Sequence, residues 1–100
     1  MALQKFTKQI AETFPISIDF SENMATGEVI SSQVISAVDN EGNVATGDVL
    51  SDPANDSAQA CTVRVLAGTE ALSPYKITCK ATTDESNVWE KDILMKIKEL

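Results

Sequence analysis

No histidine occurs anywhere in this sequence. That removes Ser-His-Asp and Cys-His nucleophile systems and the commonest zinc ligand together. Glycine is scarce, four in 100 residues, and neither a phosphate-cradling loop nor a dinucleotide fingerprint is present. Two cysteines, Cys61 and Cys79, are too few for the disulfide framework of a small secreted scaffold. No apolar run approaches the ~20 residues of a membrane-spanning helix. The segment Met1–Lys8 lacks the apolar stretch of a signal peptide, so cytosolic synthesis is expected. Basic residues are missing from Gln9 to Val63, a stretch that holds nine acids: Glu12, Asp19, Glu22, Glu28, Asp39, Glu41, Asp48, Asp52 and Asp56.

The charge balance narrows the partners. Net charge is −7 and the pI is about 4.3. Phosphate backbones and anionic lipid surfaces are bound by clustered Lys and Arg, so neither nucleic acid nor membrane is expected. The acidic stretch suggests an acidic face, either solvated or set beside a basic neighbour. Fifteen acidic residues always contain near pairs, so paired carboxylates carry no catalytic signal here. Asp39, Glu41 and Asn43 resemble a Ca²⁺ loop, but its twelfth position, which needs Glu, holds Leu50. Two thiols alone do not complete a tetrahedral zinc shell. A disulfide or half a metal site remain readings of Cys61 and Cys79; the favoured one is two reduced, unliganded core residues. No catalytic, cofactor or metal site is expected, and no enzymatic activity.

What the chain does have is alternation. Phe14, Ile16, Ile18 and Phe20 are apolar, with Pro15, Ser17 and Asp19 between them. Side chains of a strand point to opposite faces with period two, so this segment has one buried and one wet face. The pattern recurs in Cys61, Val63 and Val65, in Tyr75, Ile77, Cys79 and Ala81, and in Ile93, Met95 and Ile97. Strands are expected near 14–20, 28–38, 44–50, 59–67, 75–82 and 88–98. The second has Ile30, Val34 and Val38 as apolar points and breaks phase at Ser31-Ser32, which suggests a bulge. Residues 51–57 read as a loop, and Asp39–Asn43 and Thr83–Asn87 as turns. The expected fold is all-β, a single antiparallel sandwich of about seven strands with at most one helical turn. Its core is expected to hold Phe14, Ile16, Ile18, Phe20, Ile30, Val63, Val65, Ile77, Ile93 and Met95. Trp89 is in phase with Ile93 and is expected to pack near a sheet rim rather than serve as a ligand platform.

Residues 1–12 read as an extended N-terminal arm before a domain over 13–100, because Pro15 would interrupt a helix but is tolerated on an edge strand. The arm carries Leu3, Phe6 and Ile10, apolar groups a small sandwich has little spare core to absorb, and Lys5 and Lys8, the only basic residues before Arg64. Leu3, Lys5, Phe6, Lys8 and Ile10 are the expected partner-binding residues, able to add a strand to a neighbour's open sheet edge.

Several stretches carry a resemblance. They are Lys8-Gln9 before Phe14-Pro15-Ile16-Ser17-Ile18-Asp19-Phe20, then Gly27–Ser32, Cys61–Val65 with Ala67-Gly68-Thr69, Pro74–Thr78, and Thr82-Thr83. Together they resemble the small immunoglobulin-like β-sandwich structural proteins of tailed bacteriophages and prophages. Residues 68–72 depart from that pattern, since Thr69-Glu70-Ala71-Leu72 stands where a Gly-rich turn is usual. Tyr75, just after Pro74 and four residues before Cys79, resembles a tyrosine corner, whose hydroxyl bonds to upstream backbone. The resemblance implies a virion component without enzymatic activity, a capsid decoration, head–tail neck or fibre-associated module. Its implied partners are capsid, portal, neck or tail subunits, with further copies of itself in the particle. The competing reading is a small ligand- or carbohydrate-binding module, which would need an aromatic platform from only five aromatic residues.

Overall fold

Strict alternation makes strands here, and the strands assemble as two facing sheets. A computed structural model describes residues 4–99. Its elements are β1 (Gln4–Lys8), β2 (Phe14–Asp19), β3 (Ile30–Val38), a single helical turn α1 (Thr46–Val49), β4 (Leu50–Ser57), β5 (Ala60–Val65), β6 (Tyr75–Thr83) and β7 (Val88–Ile97). One sheet has four strands in the order β1-β7-β6-β3, and the other has three in the order β2-β5-β4. All neighbours run antiparallel except β1, which pairs parallel with β7 from Gln4↔Ile93 to Lys8↔Ile97. Seven strands in two packed sheets give the immunoglobulin-like sandwich.

The core lies between the sheets. Ile18, Phe20, Ile30, Val63, Val65, Ile77, Ile93 and Met95 are buried there, as the alternation requires. Phe14 and Ile16 are only half-buried, because β2 is an edge strand and its first half borders an opening at the rim. Cys61 of β5 and Cys79 of β6 carry free, buried thiols, and burial pushes both above the ordinary thiol range. Trp89 packs half-buried against the core.

Four expectations are corrected. A bulge between Ile30 and Ser32 does break β3, but the phase it leaves buries Ile35 and Ala37, while Val34 is 67% exposed and Val38 only half-buried. The helical turn α1 occupies the strand expected near 44–50, and the loop expected at 51–57 is β4. Every residue of β4 after Ser51 is exposed, so it shows no apolar alternation and is held through main-chain pairing with β5. The expected free arm over 1–12 is, from Gln4 to Lys8, a strand of the sandwich itself.

The tyrosine corner is formed. The Thr69 N–H donates to Tyr75 Oη at 3.0 Å, and Tyr75 is buried. Gly68 beside it has φ +90°, and a Cβ there would sit 3.0 Å from the Ile97 side chain and 3.3 Å from the Tyr75 ring. Both the left-handed backbone and the close approach call for glycine.

Candidate functional site at the sandwich rim

The first strand sets the site. β1 and β2 are edge strands of opposite sheets, and the chain crosses between them through a turn at residues 9–12. That turn is closed on itself: Gln9 N–H donates to Glu12 Oε1 at 2.6 Å, and Glu12 N–H to the Gln9 carbonyl at 3.1 Å. Lys8 locks the crossing. Its ammonium donates to the carbonyls of Gln9 at 2.7 Å, Ile10 at 3.1 Å and Ala67 at 2.7 Å, and the residue is 1% exposed. Burial lowers the Lys8 pKa, against a smaller upward pull from Glu12 and Glu99.

Where β1 and β2 face each other, the rim opens into a groove of about 580 Å³. Its apolar lining is Phe6, Phe14, Ile16 and Ile93, with Gln4, Lys5, Thr7 and Ser17 around it. Phe6 meets Phe14 edge to face, with centroids 5.9 Å apart and planes at 67°. Such a pair is favourable beyond the area it covers, and it fixes the groove wall. Lys5 is exposed beside it, and its row across the sheet continues through Leu94 to Lys76. Apolar walls with a flanking cation can hold an extended apolar or acidic segment of another protein. Sheet-edge main chain on both sides can extend the pairing.

The sequence-predicted residues divide within this site. Lys5 and Phe6 reach the groove, and Ile10 lies just beyond it, 39% exposed, its N–H donating to Glu99 Oε1 at 2.9 Å. Lys8 turns inward and serves the fold. Leu3 lies outside the described residues. Phe14, Ile16 and Ile93 belong to the groove although their phase assigns them to the core. Pro15 was the available signal, since proline marks an edge strand and edge strands border rims.

A second groove, of about 540 Å³, lies where residues 26–29 and 57–60 meet the end of β2. Its two largest polar side chains, Gln59 and Glu28, are engaged within the chain. Gln59 Nε2 donates to the carbonyls of Ala25 at 2.9 Å and Glu28 at 3.1 Å. The Glu28 carboxylate accepts from Thr83 Oγ1 at 2.6 Å, Asn87 Nδ2 at 2.9 Å and Ala25 N–H at 2.9 Å. These donors hold its pKa down to about 2. The Trp89 indole stands close enough to add to that effect, although its N–H meets no hydrogen-bond geometry. This groove is a structural knot between turn and hairpin. Nor do the aromatics form a platform: Phe20 and Tyr75 are buried, and Phe6, Phe14 and Trp89 half-buried.

Comparison with known proteins gives a family and a fold. Residues 8–96 match the family model described as podophage GP4 fiber-tail adaptor protein gp77. Among solved structures, the ZIG-8–RIG-5 IG1–IG1 heterodimer aligns over 98% of this chain and 84% of its own, with TM-score 0.57 and 9% identity. The ZIG-8 IG1 homodimer aligns over 96% and 81%, with TM-score 0.49 and 8% identity. At 9% identity the likeness to the heterodimer's domain is one of fold alone. No curated protein matches the chain.

Proposed function

Because the chain belongs to the podophage fibre-tail adaptor family, a family of phage structural proteins, we propose that it joins subunits at a fibre–tail junction. It acts there without catalysis, through protein–protein contacts, in virions assembled in the host cytoplasm. The family match over residues 8–96 carries this reading, and it favours the tail over a capsid-decoration or neck position. The β1–β2 rim is the proposed docking surface, with Lys5, Phe6 and Ile10 as contacts. A partner strand laid along the rim would bond to free edge main chain and set alternate side chains against Phe6, Phe14 and Ile16.

The test is complementation of a phage lacking this gene with the parent and with a Lys5→Glu, Ile10→Ser double variant. Both positions are exposed, so the variant is expected to fold as the parent does. Purified particles should contain the parent protein, and particles made with the variant should lack it or lack fibres. Parent protein absent from particles would end the virion reading, and a variant incorporated at full occupancy would remove the rim from it.

A further inference from the structure

The lysines of this chain are not scattered. Burial alternates along the strands of the four-stranded sheet: Ala37, Ile77, Cys79, Ile93 and Met95 point into the core, and the residues between them point out. The register sets the outward residues in rows. One row runs Lys5, Leu94, Lys76, Val38, and another Glu90, Lys80, Val34. Lys96 lies on the same face two residues beyond Leu94, opposite Thr7. Lys5, Lys76, Lys80 and Lys96 are all exposed. Among them Leu94 and Val38 are half-buried, and Val34 and Val88 are exposed.

Among the described residues, two acids of these strands share the face, Glu90 and Asp92, and Asp92 already accepts from Thr78 Oγ1 at 2.7 Å. The face therefore carries +2, and the rest of the chain, with four basic and thirteen acidic residues, carries −9. Neighbouring strands lie about 5 Å apart, so Lys5 and Lys76 stand about 10 Å from each other with Leu94 between them. No acid pairs into that row, and none pairs with Lys96 across β1. A carboxylate laid over Leu94 would meet several ammonium groups at once, and the lysine stems and Leu94 would be covered with it.

We infer that the outer face of the four-stranded sheet docks a different protein, through a compact acidic surface that carries apolar side chains among its carboxylates. Charge complementarity selects this occupant. A second copy offers the same −7 body, so the two would repel as they approach. A phosphate backbone fits less well, because the face holds no arginine to grip phosphate bidentately, and a long polyanion would run on over the acidic remainder. Strands of about 30 Å set across about 15 Å give the face roughly 450 Å². With the partner's share this lies at the low end for specific interfaces, so a single contact is weak, reversible and salt-sensitive. An adaptor holds two neighbours at once, and this face offers a contact separate from the rim groove, sharing only Lys5 with it. The contact rests on charge and register alone, so it stands whether or not the rim is occupied.

Amide-detected NMR titration of the full chain at low salt tests it, with a short probe peptide of glutamates around two central leucines. Shifts are expected at Lys76, Leu94 and Lys96, and raising salt to about 0.5 M should weaken binding severalfold. The Lys76→Glu, Lys96→Glu double variant should raise Kd at least about tenfold, and Lys76→Gln, Lys96→Gln should raise it less. Both positions are exposed and both variants keep Lys5 at the rim, so their melting temperatures should match the parent's. A duplex oligonucleotide and a concentration series of the parent alone run beside the peptide. No shift with the peptide, shifts confined to other residues, or a Kd that neither variant changes would each overturn the assignment. So would tighter binding of the oligonucleotide at these residues, which would mark a phosphate surface. Self-association through them without peptide binding would overturn it too, and make the occupant a second copy.

Discussion

Glu28 is a buried carboxylate held by neutral donors. It accepts from the Ala25 N–H of its own turn and from Thr83 and Asn87 of the β6–β7 hairpin, so one side chain ties two loops that are distant in sequence. Hydrogen bonds to the charged form hold its pKa at about 2 in the folded chain, against an ordinary glutamate value of 4.5. A folded pKa below the unfolded one gives stability that is fully present above the unfolded value and lost as pH falls toward the folded one. Glu28→Gln should therefore lower the urea midpoint at neutral pH. The gap to the parent should close between about pH 5 and about pH 2. A gap that stays constant from pH 7 to about pH 3 would show that Glu28 is not ionised in the fold or not bound by these donors.

At the scale of elements, β3 shows how one inserted residue decides a face. Before the bulge Ile30 is inward; after it Ile35 and Ala37 are inward and Val34 is out. Ile35→Ala should cost about 2–5 kcal/mol by lost transfer and cavity terms, while Val34→Ala should stay within about 0.5 kcal/mol. Equal losses in chemical denaturation would refute this register. The bulge itself was legible in Ser31-Ser32, but its phase was not, because Val34 and Ile35 are adjacent and both apolar. Elements with one apolar face, β2, β5, β6 and β7, could be read directly from alternation. β4 could not, since its residues after Ser51 are exposed and its pairing uses main-chain groups that every residue has. Asp52 sits there at φ 52° beside Pro53, loop chemistry that a bulged edge strand accommodates. The rim groove was legible in half: Lys5, Phe6 and Ile10 drew notice as apolar and basic residues ahead of the first strong strand. Phe14 and Ile16 did not, because alternation says which face a residue takes and not how near an edge it lies.

For the whole molecule the decisive segment is β1. Read as sequence it precedes the sandwich; folded, it closes the four-stranded sheet against β7 and walls the groove with Phe6. What hid this is that parallel pairing with β7 joins residues nearly ninety positions apart, and no local pattern announces such a contact. The buried Lys8 deepened the effect, because lysine is almost never fully buried without partners. Here three carbonyls supply the partners. If β1 belongs to the cooperative unit, removing residues 2–8 should lower the melting temperature markedly while keeping a single transition. Lys8→Met should reproduce part of that loss, about 1–3 kcal/mol, since the stem still packs but buried carbonyls lose their donor. Differential scanning calorimetry of the parent, the truncation and the point variant separates the cases. An unchanged transition in the truncated chain would mean that β1 is an arm after all, available in full to a neighbouring subunit. A graded loss, smaller for Lys8→Met than for the truncation, would mean that the rim is built by the fold first, so that any partner docks on a finished groove and does not recruit the strand out of it.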